Sequence, residues 1–240
     1  MRTTKRCEMP FCEKMKSDMK KGNVSAVRSV ALLLTLLLLC TVFCGCLRQP
    51  APDLQDVRDE LIALIEASGE VNRILFGTGL PVYAPDSEEA RILGLYHGNS
   101  DAPEAFVVRF DAQCASCDDI RALAKSVYAD IYIDPVLDGM LQGRLITTPE
   151  GKQTLLHADY TDAAIGLTMA SDRKVFVTDT RTYLYDTMKM TKKSTGAVLY
   201  VSVDSFLPSS DNDGDPEIMN VTLSFVKNAE GAWRLNTPTY

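Results

Sequence analysis

Histidine is nearly absent from this 240-residue chain, with only His97 and His157, sixty positions apart. Past the first 46 residues cysteine is equally scarce: only Cys114 and Cys117 remain. A structural zinc site takes about four ligands, so two thiols and two scattered imidazoles do not build one. Neither a metal nor a cofactor is expected. Two cysteines make no disulfide framework, so the core must be hydrophobic. Gly-x-Ser-x-Gly, the Gly-x-x-x-x-Gly-Lys-Ser/Thr phosphate loop and Gly-x-Gly-x-x-Gly are all missing. Their absence removes the sequence signatures of nucleophile-elbow hydrolysis and of nucleotide cradling by backbone N–H groups.

Basic clusters are lacking too, except at the start. Residues 1–28 carry eight Lys or Arg and three Asp or Glu, a net of +5, so the formal −7 of the whole chain becomes −12 for the remainder. Nucleic-acid binding needs Lys and Arg gathered on one face to neutralise phosphates, and no nucleic-acid partner is expected. An acidic domain is also repelled by anionic lipid. Any membrane attachment must therefore come from a dedicated segment.

That segment is present. Ser29 to Leu47 is an uncharged apolar run behind Lys20, Lys21 and Arg28, and it contains Gly45-Cys46. A basic head, an apolar stretch and a small residue before the cut define an export signal. The run resembles a bacterial lipoprotein signal, which implies cleavage before Cys46 and lipid, such as palmitate, on its sulfur. The alternative is an uncleaved anchor, since nineteen uncharged residues can cross a hydrocarbon core of about 30 Å. Either way the basic head stays in the cytoplasm, and the domain faces outward on the cell membrane. Met19-Lys20-Lys21 has the form of a natural start, so residues 1–18 read as an extension before the true beginning.

Residues 1–46 are thus expected to be signal or anchor, 47–53 a tether around Gln49-Pro50-Ala51-Pro52, and 54–240 a single domain. Asp53 stands where a helix N-cap belongs. Leu54, Val57, Leu61, Leu64, Ile65, Ser68, Val71 and Leu75 follow at helical spacing, and Gly77, Gly79 and Pro81 end the pattern. A short strand is expected at Ile92–Tyr96 and another at Phe106–Phe110. Ser116 caps a second helix with the stripe Ile120, Leu123, Ala124, Val127, Tyr128 and Ile131. Pro135 and Gly139 break it, with room for another helical turn beyond. The period then changes: Tyr183–Met190, Val198–Leu207, Met219–Phe225 and the segment holding Trp233 and Leu235 read as strands, with a turn at Asn228–Gly231. Helices first and an antiparallel meander afterwards predict an α+β fold.

The ending GAWRLNTPTY after a long hairpin is similar to the last strand of small secreted domains with the nuclear-transport-factor-like cone fold. With the block ILFGTGLPVY it resembles a group of uncharacterised lipoproteins of clostridia-type bacteria. The resemblance implies N-terminal helices packed on a curved antiparallel sheet, with Trp233 inside and Arg234 outside. It implies no activity, because that fold hosts isomerases, dehydratases and inert binding modules alike. The Asp-His pair or Tyr that its enzymes place inside the cone maps to no position here.

Cys114-Ala115-Ser116-Cys117 is the strongest chemical motif. It lies between a strand and a helix N-terminus, where unpaired N–H groups favour a thiolate. This is the setting of a thioredoxin-type thiol–disulfide enzyme. However, Gln113 stands where that motif has an aromatic residue, and Asp118 and Asp119 add negative charge that raises thiol pKa. Pro149 is the candidate for a facing proline. A structural disulfide or an incidental thiol pair is the competing reading. Asp211-Asn212-Asp213-Gly214-Asp215 places its glycine too early for a calcium loop and lacks the distal Glu, so it reads as a hairpin tip. Asp159 and Asp162 read as a solvated strand end. The leading expectation is a non-enzymatic lipoprotein domain that binds a small ligand or an envelope protein.

Overall fold

The computed structural model describes residues 49–96, 103–147, 151, 153–177, 180–208 and 217–240. The apolar run and Cys46, His97, Pro149 and the 211–215 tip lie outside the described residues. Among the described residues no helix is long and apolar enough to cross a membrane.

Helix α1 spans Leu54–Leu75 and starts where the sequence predicts. Asp53 is extended, and its carboxylate accepts the Gln55 N–H at 3.1 Å. The predicted stripe delivers Leu61, Ile65, Ser68, Val71 and Leu75 to the interior, with Asn72 and Ile74 beside them. The chain turns out at Gly77 and Gly79. Gly79 is left-handed (φ +84°), and a Cβ there would lie 2.5 Å from Met169 Sδ. Both the backbone angle and the close approach select glycine.

The expected strand at Ile92–Tyr96 is instead preceded and overlapped by a short helix, α2, Glu88–Leu93. Ser87 Oγ accepts the Ala90 N–H, Glu88 and Glu89 sit in the first turn, and left-handed Gly94 closes it. Local capping decides the conformation here, and Ile92 is left 71% exposed. Strand β1 (Ala105–Val107) is shorter than expected; Val108 forms only an isolated bridge to Val82, and Phe110 is exposed.

Helix α3 (Cys117–Val127) begins at the predicted Ser116 cap. Ile131 is not part of its stripe. The chain kinks at Tyr128–Ala129 into α4 (Asp130–Gln142), which runs through both Pro135 and Gly139, and Ile131 is 81% exposed. Proline removes the N–H that would bond the Ile131 carbonyl. Burial of Ile133 and Leu137, both 0% exposed, outweighs that local penalty.

The strands form three antiparallel sheets among the described residues. β2 (Arg144–Thr147) pairs with β3 (Gln153–Leu156). β4 (Tyr160–Ala163) and β1 flank β5 (Gly166–Ala170). The largest has the order β6-β7-β8-β9, from Thr182–Met190, Val198–Phe206, Met219–Lys227 and Trp233–Leu235. The alternation of β7 works as predicted: Leu199, Val201, Val203 and Ser205 are all 0% exposed. That inner face meets α1 and α3 in one core, closed by Phe225, Trp233 and Leu235. Arg234 is not simply outward: its guanidinium donates to the Lys125 and Trp233 carbonyls. The architecture is α+β with antiparallel sheets. Residues 49–51, read as tether, lie against the β6–β7 turn, where the Gly196 N–H donates to the Gln49 carbonyl.

Candidate functional site

The four residues from Cys114 to Cys117 form a helix-capping device. Ser116 Oγ accepts the Asp119 N–H at 3.1 Å, and Asp119 reaches back to the Ala115 N–H at 3.0 Å. This is a variant of the capping box, with Asp119 bonding the N–H of the residue before the Ser116 cap. Asp162, on β4, takes the Cys117 N–H at 3.0 Å. Three N–H groups at this helix start, those of Ala115, Cys117 and Asp119, are thus engaged by oxygens, two of them carboxylate. Cys114 is 1% exposed and its thiol is pushed up by burial, then by the Asp119 charge. Cys117 is pushed up to about 11, by burial first and then by Asp162, to which the thiol donates. Neither sulfur is bonded to another.

A titration follows from this. Thiolate, not thiol, reacts with iodoacetamide. In the folded protein Cys117 alkylation is expected to rise about tenfold per pH unit from pH 7 to near 11. Mass-spectrometric rates that level off below pH 8 would contradict it and return the pair to redox chemistry.

The two acidic residues of the 159–162 segment serve different partners. Asp162 caps α3. Asp159 is half-buried beside Arg173, with Oδ2 3.5 Å from Nε. Its carboxyl is raised, by burial first, while Arg173 pulls the other way. Arg173 itself is an interior cation with 3% side-chain exposure. It donates to the carbonyls of Gly77, Ile74 and Leu75 at 2.7, 2.6 and 2.7 Å, gathering the C-terminal end of α1. Its guanidinium also stands 5.5 Å from the centre of the Tyr160 ring. Tyr160, 0% exposed, donates to the Ile74 carbonyl and accepts the Leu80 N–H. His157 is exposed just after β3, and Cys114, Cys117 and His157 are not gathered into a metal cluster among the described residues.

No protein family, curated protein or solved structure matches this chain.

The most site-like concavity lies between α1 and the chain entering β6. It is a cleft of about 530 Å³. One wall is the solvent-facing side of α1 around Glu66, Gly69 and Arg73; the other carries Arg181, Tyr183 and Tyr185. Tyr183 and Tyr185 stack at 6.4 Å with rings 10° apart. The end is closed by Thr239 and Tyr240, with the Tyr240 ring 4.8 Å from that of Phe76.

Behind this end is a buried polar knot. Thr239 Oγ1 lies 2.6 Å from Ser68 Oγ, 2.8 Å from Asn72 Nδ2 and 3.0 Å from the Tyr128 hydroxyl. Tyr128 donates to Asn72 Oδ1 at 2.8 Å, and Ser68 donates to the Ile65 carbonyl. Tyr183 donates to the Thr239 carbonyl at 2.9 Å; burial holds its hydroxyl protonated well above the ordinary tyrosine range. One signal of this knot is visible in the sequence. Ser68 and Asn72 occupy core positions of an otherwise apolar helical stripe, and buried polar groups require partners.

Proposed function

We propose that the protein is a membrane-anchored extracytoplasmic lipoprotein, attached through lipid on Cys46, whose domain binds a small ligand in the α1–β6 cleft without transforming it. The observation that carries the reading is the chemistry of the cleft. It is concave and part aromatic, which suits a small molecule. Its polar groups are largely engaged as structure: Arg73 holds Glu70 and the Gly79 carbonyl, and Tyr183 holds Thr239. Groups fixed in this way orient a ligand and do not shuttle protons. The long β6–β9 sheet laid across α1 is read as the cone of the nuclear-transport-factor-like domains, with the cleft at its mouth. The raised thiols and the engaged N–H groups at Cys114–Cys117 weigh against thiol–disulfide exchange.

Two measurements test the proposal. Cells grown with radiolabelled palmitate should label the wild type and not Cys46→Ser. Label retained in that variant removes the lipoprotein assignment. Immobilised protein is then exposed to a bacterial small-molecule extract, and the eluate is compared with that of Gly69→Leu. A bound molecule recovered unchanged from the wild type alone is expected. Recovery of a converted product sinks the non-enzymatic reading.

A further inference from the structure

Gly69 lies in the interior of α1, where glycine is among the least favourable residues. Packing does not demand it: an added Cβ would meet no atom within 4 Å. Gly69 lines the cleft, and the space its side chain would take is empty. The bare helix backbone is therefore open to close approach by something flat.

The cleft also carries charged side chains of both signs. Val177 lies at the C-terminal end of α1 and Tyr185 near its start: the Val177 N–H donates to the Phe76 carbonyl, and Arg58 donates to the Tyr185 carbonyl. Arg181 and Arg73 line this cleft together with Glu66 and Tyr185. Arg73 is neutralised by Glu70 at 2.6 Å. Among the described residues Arg181 has no such carboxylate within ion-pair range, and its half-buried guanidinium donates to a neutral hydroxyl, Ser205 Oγ, at 3.2 Å. A half-buried guanidinium with a neutral partner favours an anion that can accept its remaining donors. Glu66, on the wall of the same cleft, disfavours a second negative charge.

The geometry points to a monoanionic ligand with a flat apolar body, its carboxylate-type head on Arg181 and its body against the α1 backbone at Gly69. This rests on the reading of the cleft as a ligand site and names the class it takes.

The probes are 2-naphthoate and the neutral 2-naphthamide, titrated by calorimetry into the full chain in lipid nanodiscs. Naphthoate should bind saturably, and naphthamide about tenfold more weakly or less. Arg181→Gln should weaken naphthoate about tenfold and leave naphthamide unchanged, whereas Arg181→Lys should keep most of the preference. Gly69→Leu should remove both probes while thermal unfolding remains cooperative, because leucine favours the helix and enters empty space. Equal binding of the two probes, both lost in Gly69→Leu, overturns the anion assignment and leaves the cleft as a ligand site. Binding unaffected by Gly69→Leu, or no binding of either probe, overturns both.

Discussion

Arg173→Met should cost about 3–5 kcal/mol of unfolding free energy, because it strips a buried cation from partners that remain buried. Three carbonyls at the end of α1 lose their charged donor at once, and the Tyr160 ring loses its cation. For a domain of this size the melting temperature should fall by roughly 10 °C. Asp159→Asn should behave differently. Burial raises the Asp159 carboxyl above its ordinary value, so the folded state binds that proton more tightly than the unfolded state. Its contribution to stability is present below the unfolded pKa and is lost as pH rises through the folded one. At pH 7 the neutral asparagine should therefore cost far less than loss of Arg173, and stability should fall less steeply above pH 4 than in the wild type. Chemical denaturation of both variants across pH 4–7 is the measurement. Equal losses would mean that the ion pair, and not the carbonyl cluster, holds Arg173 in place.

Thr239→Val should cost about 2–3 kcal/mol although it preserves shape, because Asn72 Nδ2 is left as a buried donor without its acceptor. The hydroxyl is also the point through which Ser68 and Tyr128 join the knot. Tyr183 bonds the backbone carbonyl of the same residue, and Tyr240 closes the cleft beside it. The substitution should thus loosen the tail as well as the core. Carboxypeptidase should trim the variant to about Thr237 under conditions in which the wild type keeps Tyr240, through local opening of a weakened segment. A variant as stable and as resistant as the wild type would show that water replaces the threonine hydroxyl at no cost.

The readable elements were those with a sustained period and a local cap. Asp53 and the Leu61–Leu75 stripe define α1, Ser116 defines the start of α3, and the alternation of Leu199, Val201 and Val203 defines the inner face of β7. Failure came where the two kinds of information disagreed. Ile92-Leu93-Gly94-Leu95 is too short to distinguish a strand from a helix by periodicity, and the Ser87 cap decides it. Pro135 and Gly139 are real local breakers, but the penalty they impose is smaller than the gain from placing Ile133 and Leu137 in the core. The cleft was illegible for another reason. Arg181, Gly69 and Thr239 are far apart in the chain, and only the tertiary fold brings them to one cleft. The Cys114–Cys117 pair was conspicuous as a motif, yet Asp162, the charged group that acts most on Cys117, enters from β4, 45 positions along the chain.

The last strand has a bearing on when this domain can exist. Leu235 bridges to Tyr128, its carbonyl takes the Ala129 N–H at 2.7 Å, and Trp233 and Leu235 both sit in the core. These residues seal the joint between two helices made about a hundred positions earlier. A ribosome-bound or half-threaded chain that stops short of them leaves the α3–α4 corner open, its apolar faces unpaired and accessible to chaperones and proteases. Synthesis past Leu235 is therefore the condition for closing this corner, and copies truncated before it carry their own signal for removal.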